Sequence, residues 1–444
     1  MRAMKDSGIE WIGKIPQEWN VSPLKSKYSF GKGLSITKAD LSDEGAKVIS
    51  YGQIHSKDNV GVAVLDSLIR HLPWDHNSLS DTAKTSVGDL IFADTSEDLE
   101  GCGNCVYIDR DDPIYAGYHT LILRPKASKL GKYYAYLFSS DAWRTQVRTS
   151  VNGVKVFSIT QDILKKTVLL EPSEKEQERI VKYLDKKCAE IDALIAAKEK
   201  TNALLKEQRQ SLIFEAVTKG LDPTVPMKDS GLSWIDMIPK TWHVIPLSKI
   251  SERMNNGYVG PTRNIFVDDG VRYLQSLHIK DGKILFDKAP YYVSHEWALE
   301  HSLGTVHTGD VLIVQTGDIG QVAHVTEDYN GCNCHALIIV TPRGKLCKGE
   351  YLSYLLQSHY GRNQLLSCRT GALHPHLNSG NIRSIKLPIP PTIDEQSEIV
   401  SYLDSECEKL DKIIADNDST IQMLKEYRQS LIYEAVTGKI EVSK

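Results

Sequence analysis

Two long stretches of this chain carry apolar residues at spacings of three and four, with nothing between them that breaks a helix. Residues 176–218 read EQERIVKYLDKKCAEIDALIAAKEKTNALLKEQRQSLIFEAVT, and residues 395–437 read EQSEIVSYLDSECEKLDKIIADNDSTIQMLKEYRQSLIYEAVT. Neither contains Pro or Gly, and both are rich in strong helix formers. Prolines precede each, at Pro172 and at Pro388, Pro390 and Pro391, while Gly220 and Gly438 stand where a C-terminal cap belongs. The apolar stripe of the first is Ile180, Leu184, Cys188, Ile191, Ile195, Leu205, Leu212 and Ala216. That of the second is Ile399, Leu403, Cys407, Leu410, Ile414, Leu424, Leu431 and Ala435. A single narrow stripe of this kind is a coiled-coil seam. Some forty residues of helix extend roughly 60–65 Å at ~1.5 Å per residue, too long to stand alone on one stripe. Each copy is predicted to bury its stripe against the other, rather than each lying on its own domain.

The segments ahead of the helices alternate differently. Short β-rich runs follow glycine turns at Gly88-Asp89-Leu90-Ile91-Phe92 and Gly309-Asp310-Val311-Leu312-Ile313. Strand-like stretches come after them at residues 106–108, 120–123, 322–325 and 336–340. Amphipathic helical patterns then appear as KYYAYLFSSDAWRTQVRT and EYLSYLLQSHYGRNQLLS, each followed by a polar loop with glycine, SVNGVKVFSIT and RTGALHPHLNS. The two lobes are also introduced alike. Residues 5–24 (KDSGIEWIGKIPQEWNVSPL) and 228–247 (KDSGLSWIDMIPKTWHVIPL) share 12 of 20 positions. A period above two hundred residues is too long for a solenoid or propeller; it is a duplicated domain. The predicted organisation is a lobe at 1–170, a helix at 171–220, a second lobe at 221–389 and a second helix at 390–444.

Composition changes this picture little. A chain of 444 residues, 41% hydrophobic and 25% charged, suits two or three globular domains. No apolar run reaches the roughly 18–20 residues needed to span a bilayer, and the first residues lack the apolar core of a signal peptide. Eight cysteines in such a chain fit a reducing compartment, and a cytoplasmic location is expected. The net charge of −4 argues against nucleic acid until it is apportioned. Residues 171–220 are neutral and residues 390–444 carry about −6, so the lobes together carry about +2. Phosphate binding depends on local patches rather than on the total.

The order lobe, helix, lobe, helix, with EQ..IV.YLD opening each helix, RQSLI.EAVT closing it and SG(I/L).WI…IP..W.V.PL ahead of each lobe, resembles the specificity subunit of type I restriction–modification systems. The resemblance covers essentially the whole chain. It implies an α/β (α+β) fold of two target-recognition domains separated by two long helices that pair as an antiparallel coiled coil, with pseudo-two-fold internal symmetry. It implies that each lobe reads one half of a bipartite double-stranded DNA target, that the helices set the spacing, and that two modification (methyltransferase) subunits dock on the assembly. Restriction (endonuclease/translocase) subunits are possible further partners. S-adenosylmethionine, ATP and Mg are expected on those partners, with no cofactor in this chain. The competing reading is a two-lobed DNA-binding adaptor without a methyltransferase partner.

The residues favour a non-catalytic role. No Asn-Pro-Pro-Tyr motif is present, and neither the glycines at 101–103 nor those at 31–33 complete a cofactor or phosphate loop. Cys102/Cys105 and Cys332/Cys334/His335 lack the second pair a zinc site needs and do not align between the copies, so no metal is expected. Base reading needs hydrogen-bonding side chains that can reach base edges, with cations on phosphates. In lobe 1 the candidates are Asn152, Gly153, Lys155, Phe157 and Ser158 in the glycine loop, then Lys32, Ser35, Thr37, Lys38, Tyr51, Gln53 and His55. In lobe 2 they are Arg369, Thr370, Gly371, His374, His376 and Asn378, then Tyr258, Thr262, Arg263, Gln275, Ser276 and His278.

Overall fold

The structure, a computed structural model, describes residues 2–127, 131–371 and 375–442. The chain divides into two units, Met1–Lys198 with Ser419–Lys444, and Glu199–Asp418. Both long helices therefore contribute to both units. The first is Glu174–Lys219 and the second Ile393–Val436. Gly220 and Gly438 take φ of 75° and 69° just past their ends, a conformation that favours glycine. At the other end, the Thr392 hydroxyl accepts the Glu395 N–H at 3.2 Å and caps the second helix.

In the first unit, four strands form an antiparallel sheet in the order Tyr28–Lys32, Thr120–Pro125, Leu90–Ala93, Cys105–Tyr107. Leu90, Phe92, Leu121 and Leu123 face a core shared with the helices Lys132–Ser139 and Asp141–Arg148. Ile91, Ala93 and Ile122 face the opposite core, under the strands Ala46–Ile49 and Ile114–Ala116. Successive strand side chains point to opposite faces, so a strand covered on both sides reads as a continuous apolar run. That is why the sequence after Gly88-Asp89 is LIFA. The second unit repeats the plan with Ser251–Asn256, Leu337–Pro342, Val311–Val314 and Val322–His324. Val311 and Ile313 face one core there, Leu312 and Val314 the other. The Gly-Asp pair ahead of each run has a structural reason. Gly88 and Gly309 have φ of 96° and 87°. The buried Asp89 and Asp310 accept backbone N–H groups from Ser86 (3.0 Å) and His307 (2.9 Å) and meet Arg124 and Arg253.

The repeated phrase ahead of each lobe and the repeated start of each helix are two halves of one joint. Trp19 is fully buried and its indole N–H donates to Glu176 Oε2 at 3.0 Å. In the second unit, the equally buried Trp242 donates to Glu395 Oε1 at 2.7 Å. Beside each indole sits the glycine that ends the other helix. A Cβ on Gly438 would lie 3.1 Å from the Trp19 ring, and one on Gly220 would lie 3.4 Å from that of Trp242.

Within the second unit, Asn202 meets Asp418 and Arg209 meets Asp411, so partners descend along one helix as positions climb the other; the pair is antiparallel. Ile213, Ala216 and Val217 share its core with Ile399, Leu403 and Cys407. In the first unit Ile180, Leu184, Cys188, Ile191 and Ile195 pack with Ile421, Leu431, Ile432 and Ala435. Of the expected seam, Leu205, Leu212, Leu410, Ile414 and Leu424 are only half-buried, Leu212 and Leu424 still packing against the cores of their units. Polar groups take the middle of the stripe instead. Asn202, Arg209 and Asn417 are at most 9% exposed. Asn417 Nδ2 donates to Asn202 Oδ1 and Asn202 Nδ2 to Asp418 Oδ1, both at 2.8 Å. Towards the helix ends, Ile213 and Ile432 bury fully as the stripe drifts, because 3.6 residues per turn do not match a 3.5-residue repeat.

Candidate nucleic-acid interface

In each lobe one end of the central sheet collects the polar residues. In lobe 1, Tyr28–Lys32 ends opposite Leu121 and Leu90–Ala93 ends opposite Thr120. The turn into that point places His119 at φ 53°, with the Asp94 N–H on its carbonyl at 3.1 Å. The short helix Tyr51–Ile54 closes on the same turn, the Tyr51 N–H donating to the Tyr118 carbonyl at 3.2 Å. Gly117 makes this approach possible, since a Cβ there would lie 1.9 Å from Ser50 Oγ. The glycine loop then returns: Phe157–Ser158 pairs antiparallel with Thr95–Ser96, and the Ile159 N–H donates to the Asp94 carbonyl at 2.7 Å.

The side chains on this edge are partly committed to one another. Tyr51 Oη donates to Glu97 at 3.2 Å. His55 Nε2 lies 2.9 Å from the Thr95 carbonyl, and its Nδ1 lies 3.1 Å from the Asn104 amide nitrogen. Those partners make Nε2 the donor and Nδ1 the acceptor. Asp94 Oδ1 lies 3.3 Å from His119 Nδ1, yet it is shielded from solvent and accepts no aligned hydrogen bond; Ser50 Oγ is also shielded and unpaired.

Lobe 2 builds the same edge from different side chains. Val311–Val314 ends opposite Leu337, and Ala336 at φ 48° stands where lobe 1 has His119. The 3₁₀ turn Ser276–His278 stands where lobe 1 has Tyr51–Ile54. The Leu377 N–H donates to the Gln315 carbonyl at 2.9 Å, as Ile159 does to Asp94. Thr370 and His376 exchange both backbone hydrogen bonds at 2.9 Å. An open groove of about 710 Å³ beside them is lined by Thr316, Asp318, Arg362, Arg369, Pro375 and His376, among others.

The structure thus brings Lys32, Tyr51, His55, Phe157 and Ser158 to one edge, and Ser276, Arg369, Thr370 and His376 to its counterpart. Asn152, Gly153 and Lys155 form the exposed run before Phe157, where a Cβ on Gly153 would lie 2.3 Å from the Val156 carbonyl oxygen. Gly371 has φ 93°, and His374 lies outside the described residues. Other candidates also take part in local turns, some through the side chain and some only through the backbone. Gln53 Oε1 accepts the Ser50 N–H (3.2 Å), Thr37 caps with Asp40, the Ser35 carbonyl takes the Ser78 hydroxyl, and Asn378 Oδ1 takes the Gly380 N–H (2.8 Å). Lys38 opens the turn that Thr37 caps, and the Thr262 carbonyl takes the Ile265 N–H. Arg263 is exposed. Tyr258 packs its half-buried ring edge-on against Trp297 and His301, at 5.0 and 4.9 Å.

His278 is a correction. It is fully buried, its Nδ1 accepts the Gln275 N–H at 2.9 Å, and its Nε2 lies 2.8 Å from the Ala289 carbonyl. Burial pushes its pKa below the ordinary imidazole value. Both ring nitrogens and Gln275 serve the turn, leaving nothing of His278 to offer a ligand. The residues missed from sequence are Asp94 and Gln315. Their signal was FADTSED against IVQTGDI: the strand and the Thr agree, and the residue between them changes.

Cys102, Cys105, Cys332 and Cys334 are buried free thiols, and burial raises the Cys105 and Cys332 pKa values to about 12 and about 11. Among the described residues no cluster of three or more His, Cys, Asp or Glu is placed to hold a metal, and no helix is long and apolar enough to cross a membrane.

This arrangement defines an internally duplicated protein: two scaffolds of one design, each with a polar edge of its own, on a pair of long helices. The chain belongs to the family of the type I restriction modification DNA specificity domain, whose model matches residues 16–206 and again 242–421. It is 25% identical over 303 residues to the type I restriction enzyme EcoBI specificity subunit of Escherichia coli, a match spanning 66% of this chain and 63% of that protein. It is 21% identical over 453 residues to the type I restriction enzyme MjaIX specificity subunit of Methanocaldococcus jannaschii, covering 97% of this chain and 95% of the relative. A solved chain described as "Structural basis underlying complex assembly and conformational transition of the type I R-M system" aligns with TM-score 0.69. That alignment covers 96% of this chain and 99% of the other at 18% identity, a likeness of fold.

Proposed function

We propose that this chain is the DNA-reading, non-catalytic subunit of a type I restriction–modification complex, each lobe recognising one half of a bipartite target. The observation that carries the reading is the duplicated edge: the same backbone positions hold Asp94 and His119 in lobe 1 and Gln315 and Ala336 in lobe 2. Alike scaffolds with unlike side chains suit half-sites that differ in sequence. The paired helices join the two readers and set the gap between half-sites.

Modification subunits dock on the outer faces of those helices. Leu194 and Ile413 occupy equivalent repeat positions and are 54% and 46% exposed; Leu204 and Met423 are a second such pair, at 56% and 58%. Each unit therefore presents one member of each pair, which supports two equivalent docking sites. S-adenosylmethionine, ATP and Mg belong on the partner subunits, and this chain supplies sequence choice alone.

Mapping methylated adenines across the host genome with and without this gene tests the reading. A split motif that vanishes on deletion is the expected result. An unchanged methylome in a host whose modification subunit is expressed would overturn it in favour of the adaptor.

A further inference from the structure

We infer that position 94 in lobe 1 and position 315 in lobe 2 are the base-selecting residues of the two reading edges, and that both choose a base bearing an exocyclic amino group. This rests on the DNA-reading role proposed above.

Three observations converge. First, the two positions are the same place in the fold. Each is the residue just past the central strand, at the edge beside the left-handed turn, and its carbonyl holds a residue of the returning glycine loop, Ile159 or Leu377. Second, each carries a shielded acceptor that takes no aligned hydrogen bond from the folded protein. Gln315 is only 9% exposed, and its Oε1 is shielded without a hydrogen bond. Asp94 Oδ1 is shielded as well, on a side chain 32% exposed overall, with His119 Nδ1 at 3.3 Å but without hydrogen-bond alignment. A buried acceptor without a hydrogen bond destabilises a fold; Gln315 meets that description, Asp94 repeats it in weaker form at the equivalent position, and both point to a donor that arrives with a ligand. Third, the next residue is Thr in both copies while this one differs, as expected where a shared frame holds a variable reader.

The chemistry of each side chain then names its base. An ionised Asp94 only accepts, so it suits the N4 amino group of cytosine or the N6 amino group of adenine and rejects the carbonyls of guanine and thymine. Gln315 both donates and accepts, the pairing that fits adenine N7 and N6. Engagement turns the side chain outward, so the acceptor exchanges an unmet site for the base amino group.

The test uses the full-length chain in its host with its modification subunits. Gln315→Met keeps the length and removes the hydrogen bonding; Asp94→Asn keeps the shape and adds a donor. Gln315→Met should relax one base pair in a single half-site, discrimination there falling roughly 5- to 150-fold, with the other half and the gap unchanged. Asp94→Asn should change one position in the other half. The melting temperature of purified Gln315→Met should hold or rise, because an unmet acceptor has been removed. Unchanged motifs in both variants, in a host where gene deletion erases the motif, would overturn this inference and leave the DNA-reading role standing. So would loss of all methylation with a lowered melting temperature, which would make Gln315 structural. A methylome indifferent to gene deletion would remove the DNA-reading role, and this inference with it.

Discussion

Replacing Trp242 with Phe should loosen the second lobe from its helix more than the same change at Trp19 loosens the first. Each indole is fully buried and donates to a glutamate in the first turn of a long helix, Glu395 at 2.7 Å and Glu176 at 3.0 Å. The two glutamates are otherwise unlike. Glu176 also receives Arg2, at 2.6 and 3.0 Å, whereas the half-buried Glu395 carboxylate has no other hydrogen-bond partner among the described residues. A hydrogen bond to a charged group contributes about 1.5–3 kcal/mol, and the void left by the smaller ring costs roughly 1 kcal/mol more. Trp242→Phe should therefore destabilise by roughly 2.5–4 kcal/mol. Trp19→Phe should cost roughly 1–2 kcal/mol, because Arg2 still satisfies the carboxylate.

The assay is native-state hydrogen exchange on the first turns of both helices, since a chain of two units need not unfold in one step. A double-mutant cycle with Glu395→Ala isolates the pair, and its coupling should be about 1 kcal/mol or more. Equal losses at both helices, or a coupling below about 0.5 kcal/mol, would refute the reasoning.

Burial holds His278 neutral, so its folded pKa lies below the unfolded value of about 6.5. Stability from it is complete above about pH 6.5 and is lost as pH falls towards the folded pKa, because only the unfolded chain takes the proton. His278→Gln copies the lobe 1 solution at Gln53 and should flatten that acid limb in urea titrations between pH 5 and 7. Gly117→Ala drives a Cβ onto Ser50 Oγ and should cut lobe 1 discrimination in a DNA-binding assay while lobe 2 keeps its own. Asn202→Leu removes the bonds to Asn417 and Asp418 and should cost about 1–3 kcal/mol in chemical unfolding; adding Asn417→Leu should recover part of it. Leu204→Glu with Met423→Glu, on exposed faces, should abolish co-purification with the modification subunit and leave the melting temperature within about 2 °C, as surface changes do.

The long helices were legible because their signal is periodic and local: a stripe that repeats over some forty residues needs no knowledge of the rest of the chain. Its centre was not legible. The stripe has no apolar member between Ile195 and Leu205, and Asn202 fills that stretch, buried by bonds to Asn417 and Asp418, more than two hundred residues away. A residue's partner decides whether a polar side chain can sit in a seam, and spacing carries no information about distant partners. A single polar residue at a seam position favours one register over its neighbours at some expense of stability. The same holds for the repeated tryptophans: their burial could be guessed, but not their bond to a carboxylate at the start of the following helix.

At the reading edges, composition misled where topology was needed. Gln53, Thr37, His278 and Asn378 are the residue types that read bases, and here their polar groups close turns. Short polar side chains serve local caps as readily as ligands, so type alone cannot separate the two uses. Asp94 and Gln315 sit at the end of a buried apolar run, and nothing in residue type or spacing singles them out. They share a place in the fold: each follows the central strand, and each has a shielded oxygen with no aligned hydrogen bond, as has Ser50 on the same edge of lobe 1. Duplication is what gives that observation its weight. An acceptor of this kind in one lobe alone would be an accident of packing; its recurrence at the same strand end of two copies whose loop side chains have diverged is the stronger observation, even though His119 stands 3.3 Å from the one in lobe 1.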